Sequence, residues 1–145
     1  MDYLNILLPA SDGRSYTLKD FQGKKIVLYF YPKDNTSGCT LEAIEFTRLK
    51  EEYKRLGYLV IGVSRDSVKS HQKFIADHNL DLLLLSDENE EFVKAFDVLK
   101  EKSMYGRKYV GIERSTFILD ESGKISKEYR SVNAKEHPSE LLCQL

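Results

Sequence analysis

Residues 24–40 read Lys24-Lys25-Ile26-Val27-Leu28-Tyr29-Phe30-Tyr31-Pro32-Lys33-Asp34-Asn35-Thr36-Ser37-Gly38-Cys39-Thr40, and this run decides the fold. Beyond its first two residues, Lys24 to Tyr31 is β-branched and aromatic with no polar alternation, the pattern of a strand buried on both faces. Pro32 stops that strand, and Asn35, Ser37 and Gly38 are turn formers. From Thr40 the apolar residues Ala43, Phe46, Leu49, Tyr53 and Leu56 recur at helical spacing up to Gly57, which ends the helix. A buried strand that turns sharply into a helix is the opening unit of an α/β sheet. Chemistry in such sheets collects at the carboxyl ends of the strands.

Strand and helix signals continue to alternate. Tyr58 to Val63 reads as a second buried strand, Val68 to His78 as an amphipathic helix and Leu82 to Leu85 as a third strand. Asp87 with Glu90 opens a further helix whose Phe92, Val93, Phe96 and Leu99 face inward. Ser115 to Leu119 and Gly123 to Arg130 flank the turn Asp120-Glu121-Ser122-Gly123 as a hairpin. A terminal helix runs from Pro138 to Leu145. This order predicts a single α/β domain over residues 1–145, with a mixed central sheet flanked by helices, compatible with a thioredoxin-like fold.

Twenty-two basic and 23 acidic residues are interspersed along the 145-residue chain, for a net charge of −1. No basic stripe points to nucleic acid. The longest apolar run is far too short for a membrane span, which needs about 20 residues. Met1-Asp2-Tyr3-Leu4-Asn5 lacks the charged and apolar regions of a signal peptide, so a cytoplasmic, reducing setting is expected. Two cysteines in that setting are poor candidates for a structural staple.

Cys39 falls in or beside the first turn of the predicted helix, where unpaired N–H groups and the helix dipole favour an anion. The thiolate is the nucleophilic form of cysteine. A free cysteine is also a common small core residue, but the flanks of Cys39 are turn residues rather than core residues. The hydroxyl of Thr36, three residues upstream, can donate and accept, which suits a substrate with two adjacent oxygens. His71 and His78 lie seven apart on one helix with no third partner, so they read as packing or surface histidines rather than metal ligands. No CxxC pair, phosphate loop, HExxH or GxSxG appears.

Pro32-x-x-x-Thr36-x-x-Cys39 resembles the PxxxTxxC signature of the peroxiredoxins, and YPKDNTSGCTLEA is similar to their peroxiredoxin Q (bacterioferritin comigratory protein) branch. Further blocks, in the family's order, are LPASDGRSYTLKDFQGKKIVLYFYPKD, VIGVSRDSVKSHQKF, LLLLSDENEEFVKAFDV and MYGRKYVGIERSTFILDESGKI. The resemblance implies a thioredoxin fold and a cofactor-free, metal-free thiol peroxidase acting on hydrogen peroxide and organic hydroperoxides. By similarity Cys39 is the peroxidatic cysteine that becomes a sulfenic acid, Thr36 bonds the peroxide, and Pro32 shields the pocket. Arg114, in GIERSTF, matches the family arginine that holds the thiolate and the leaving oxygen; its alternative is a solvated cation at a strand edge. Glu42 matches a carboxylate that orients that arginine, with an ordinary exposed helix glutamate as the alternative.

Two positions depart from the branch. Ser37 stands where proline is usual, and Ile44 stands where many members carry the resolving cysteine. Cys143, the only other thiol, is the remaining candidate resolver, its alternative being core filler on the terminal helix. No motif marks it, so the reading favours attack on Cys39 by an external thiol, thioredoxin or a small thiol, in a monomer or homodimer. A peroxide-responsive sensor or holdase using the same cysteine is the competing function.

Overall fold

The computed structural model describes residues 2–145. Its centre is a five-stranded sheet of β3 (Lys25–Phe30), β4 (Tyr58–Ser64), β5 (Leu83–Ser86), β8 (Ser115–Leu119) and β9 (Ile125–Arg130), in the order β5-β4-β3-β8-β9. β3, β4 and β5 run parallel, while β8 and β9 add antiparallel on the other side of β3, so the sheet is mixed as predicted. Two short antiparallel pairs lie outside it, β1 (Leu8–Pro9) with β2 (Ser15–Tyr16), and β6 (Leu99–Met104) with β7 (Arg107–Ile112).

The unbroken apolar run of β3 follows from its two faces, because side chains alternate across a strand. Ile26, Leu28 and Phe30 enter one core with Phe92, Val93, Phe96 and Phe117. Val27, Tyr29 and Tyr31 enter the opposite core with Cys39, Phe46, Tyr53, Phe74 and Leu141. That second face is covered by α1 (Ser37–Arg48), α2 (Lys50–Arg55), α3 (Val68–His78) and α5 (His137–Gln144), whereas α4 (Glu91–Ala95) packs on the first. Gly62 in β4 has a steric cause: a Cβ there would lie 2.7 Å from Leu84 Cδ2 and 2.9 Å from the Tyr29 ring.

Several predicted elements change shape. The helix expected from Thr40 to Leu56 begins at Ser37 and is broken at Leu49 into α1 and α2. The break seats Tyr53 in the core, with its hydroxyl donating to Pro138 O at 2.6 Å, while Leu56 is left exposed beside Gly57, whose φ of 88° turns the chain. Residues 87–90 form a turn rather than a helix start; Glu90 is left-handed at φ 63°, and Asp87 reaches ahead to accept from Val93 N at 2.8 Å. Leu99 opens β6 and is not on a helix.

α5 is tied to the sheet through His137, whose Nε2 lies 2.8 Å from Thr116 Oγ1 and whose ring abuts Phe46 and Tyr129. Burial pushes its pKa down to about 4. A histidine in the unfolded chain titrates near 6.5, so between these values the unfolded state binds a proton that the native state refuses. The contribution is intact above the unfolded value and is lost as pH falls toward 4, by about 2 kcal/mol once residual screening is allowed for. Urea midpoints measured from pH 7.5 down to 4.5 should therefore fall more steeply for the wild type than for His137→Asn. Parallel slopes would contradict the assignment.

Candidate active site

Tyr31 makes the last ladder bond beyond β3, its N–H donating to Val63 O at 3.1 Å, and Pro32 has no N–H with which to continue. The chain turns through Asp34 and the left-handed Asn35 (φ 61°), and α1 starts at Ser37 with Thr36 in extended geometry at its N-cap. Cys39 is thus the third residue of α1, within the turn whose N–H groups lack helical partners. It is buried, in contact with the core under α1.

Arg114 reaches the same end of the sheet through strand register. Phe30 of β3 pairs with Ser115 of β8, so Arg114 lies one residue beyond the pairing, at the end where Pro32 leaves. Its backbone is fixed by Val132 N–H donating to Arg114 O at 3.1 Å. One guanidinium nitrogen lies 3.3 Å from Cys39 Sγ and the other donates to Glu42 Oε1 at 2.8 Å. Gly38 makes room for this, since a Cβ there would sit 3.2 Å from the guanidinium. The Arg114 side chain is only 16% exposed, so it is not a solvated edge cation.

Glu42, one turn after Cys39, is fully buried, which removes the exposed-glutamate alternative. Its Oε2 has no hydrogen-bond partner among the described residues. Burial pushes its pKa up to about 7 against the pull of Arg114. Burial also opposes the charge on Arg114, but Glu42 and Cys39 together outweigh it and its pKa is raised. The trio therefore places a permanent cation between a thiol and a carboxyl.

The other predicted residues are placed less closely. Thr36 is exposed and its hydroxyl donates to Lys33 O at 2.8 Å, not to the thiol. Pro32 is half-buried at the strand exit. Cys143 is exposed on α5, where Leu141 and not the thiol fills the core, so the core-filler alternative fails. Ile44 is exposed on α1.

Sequence reasoning missed a buried polar cluster beneath the loop. Asp34 accepts from Tyr31 Oη at 2.6 Å and Ser70 Oγ at 2.8 Å, and its Oδ2 lies 2.7 Å from His71 Nδ1. His71 is a packing histidine as read, but its packing is polar. Among the described residues, no group of three or more His, Cys, Asp or Glu is arranged to hold a metal ion, and no helix is long and apolar enough to cross a membrane.

The chain is similar to known proteins along nearly its whole length. A model of the AhpC/TSA family matches residues 3–128. The chain is similar to peroxiredoxin Bcp of Bacillus subtilis, at 48% identity over 95% of this chain and 88% of that one. Among solved structures, the bacterioferritin comigratory protein of Xanthomonas campestris, studied for alkyl peroxide reduction, superposes with a TM-score of 0.92 at 42% identity, covering 98% of this chain and 90% of the other. PrxQ of Xylella fastidiosa gives a TM-score of 0.93 at 43% identity, over 99% and 89%.

Proposed function

Because the chain belongs to the AhpC/TSA family, as a thiol-dependent peroxidase of the peroxiredoxin Bcp/PrxQ subfamily with a thioredoxin-like fold, we propose that Cys39 is its peroxidatic thiol and Arg114 the group that stabilises charge at it. The observation that carries this is the 3.3 Å contact between the Arg114 guanidinium and Cys39 Sγ at the start of α1. The thiolate attacks one peroxide oxygen, an S–O bond forms as the O–O bond breaks, and the departing hydroxide or alkoxide takes a proton from solvent. Arg114 offers further donors to the oxygen on which charge develops. Thr36 sits at the loop edge, where its oxygen can accept from the incoming hydroperoxide, and Pro32 limits water at the strand exit.

Hydrogen peroxide and organic hydroperoxides are both substrates in this reading, the second supported by the alkyl peroxide activity described for the X. campestris relative. The family brings a thiol reductant. With isoleucine at position 44, an external thiol attacks the Cys39 sulfenic acid and expels water, forming a mixed disulfide that a second thiol reduces. The cytoplasm, where such thiols are kept reduced, is the compartment this cycle needs.

Peroxide-treated protein should migrate as the reduced chain on non-reducing gels, carry a trappable sulfenic acid on Cys39, and turn over unchanged as Cys143→Ser. A prompt Cys39–Cys143 linkage, with turnover lost in that variant, would replace the one-cysteine cycle by a two-cysteine one. Sustained peroxide consumption with recycling thiol supports an enzyme; oxidation that stops after one equivalent supports the sensor.

A further inference from the structure

Among the described residues, the side chains that tie the Pro32–Thr36 loop to the rest of the chain come from Tyr31, from Asp66 between β4 and α3, and from α3 itself. Asp34 is the hub, with its carboxylate receiving Tyr31, Ser70 and His71 while its backbone N–H donates to Asp66 Oδ2 at 2.9 Å. Farther out, Asn35 donates to Asp77 Oδ2 at 3.2 Å, and its Oδ1 lies 2.9 Å from His78 Nε2. The protons on His71 are fixed by its partners. Nε2 lies 2.9 Å from Leu85 O, and a carbonyl only accepts, so Nε2 carries hydrogen. Nδ1 faces a carboxylate oxygen at 2.7 Å, so one further proton lies between ring and carboxyl. The side chains of both residues are almost wholly buried, at 0% and 2% exposure, where an unmade bond is costly.

We infer that the Asp34–His71 pair is a positioning device for the reacting cysteine: it clamps the loop to α3 and β5, and so fixes the N-cap from which α1 presents Cys39 to Arg114. The inference rests on Cys39 being the reacting thiol. The path is short, since Asp34 is two residues before the N-cap Thr36, whose carbonyl accepts from Thr40 N–H at 2.9 Å in the turn that contains Cys39. A thiolate held 3.3 Å from its guanidinium loses that contact if the first turn shifts by an ångström.

Asp34→Ala and Asp34→Asn separate positioning from bulk stability. Asparagine can accept from Tyr31 and donate from its amide to Nδ1 of a neutral His71 that still donates to Leu85 O, so it restores the clamp without the extra proton. The readouts are the second-order rate of Cys39 oxidation per folded molecule, with the folded fraction taken from circular dichroism, and hydrogen exchange of amides 37–43. Asp34→Ala should lose about 10- to 100-fold in rate and exchange faster in that window, while Asp34→Asn should stay near the wild type in both. Wild-type rate and protection in Asp34→Ala would overturn the inference, and so would an Asp34→Asn that folds but is as slow as the alanine variant. If Asp34→Ala does not fold, Asp34→Asn with His71→Ala decides by the same two readouts. A wild type that does not consume peroxide at Cys39 would instead sink the underlying reading.

Discussion

Replacing Cys39 with serine is expected to abolish peroxide turnover while leaving the fold intact. The site is buried and its sulfur contributes one contact to Arg114, so a hydroxyl of nearly the same shape is accommodated. Serine does not ionise near neutrality, however, and among the described residues the side chain hydrogen-bonded to this position is the Arg114 guanidinium, a cation and not a base. The loss should be at least about 10³-fold, as expected when a nucleophile is removed. Steady-state peroxide consumption with a recycling thiol reads the effect, and circular dichroism checks the fold. Residual turnover above trace level, in protein free of contaminating peroxidase, would assign the chemistry elsewhere.

Arg114→Ala should be next in size. A fixed donor aimed at developing oxyanion charge supplies about 2–4 kcal/mol in comparable sites, which corresponds to about 30- to 1000-fold in rate. Stopped-flow oxidation of Cys39 should slow by that factor. Arg114→Lys should recover only part, because a point charge cannot contact Cys39 and Glu42 with the two arms of one planar fork. The alanine variant also strands the buried Glu42, a stability cost that Glu42→Gln in the same chain should relieve without restoring the rate. An alanine variant that reacts like the wild type would leave Arg114 a structural partner of Glu42 and nothing more.

The chain pattern made most of the sheet legible, because both faces of β3, β4 and β8 are covered and such strands read as continuous apolar runs. The β6–β7 hairpin was not legible. Its strands are charged and exposed, and its clearest local sign is Tyr105-Gly106, both at positive φ, the geometry of a tight hairpin turn. Helical spacing from Phe92 and Phe96 consequently points Leu99 to a helix face, whereas it opens β6. The break at Leu49 was hidden for a related reason: Phe46 and Tyr53 keep helical spacing across it, their rings 5.8 Å apart.

At the site, Cys39 could be singled out because its neighbours are turn residues and its position in the turn is local. Whether Arg114 meets Cys39 and Glu42 depends on the pairing of Phe30 with Ser115, a long-range register that periodicity does not disclose. The role of Asp34 is more hidden still. A lysine–aspartate pair after proline reads as solvated loop, and its burial depends on Ser70 and His71 arriving from α3.

The most direct measurement is to add one equivalent of peroxide to the fully reduced chain, trap sulfenic acid, and locate the added oxygen by mass spectrometry. One oxygen on Cys39, reversed by a thiol with release of water, is the predicted result. Oxygen found on Cys143 or on a methionine while Cys39 stays reduced would contradict it.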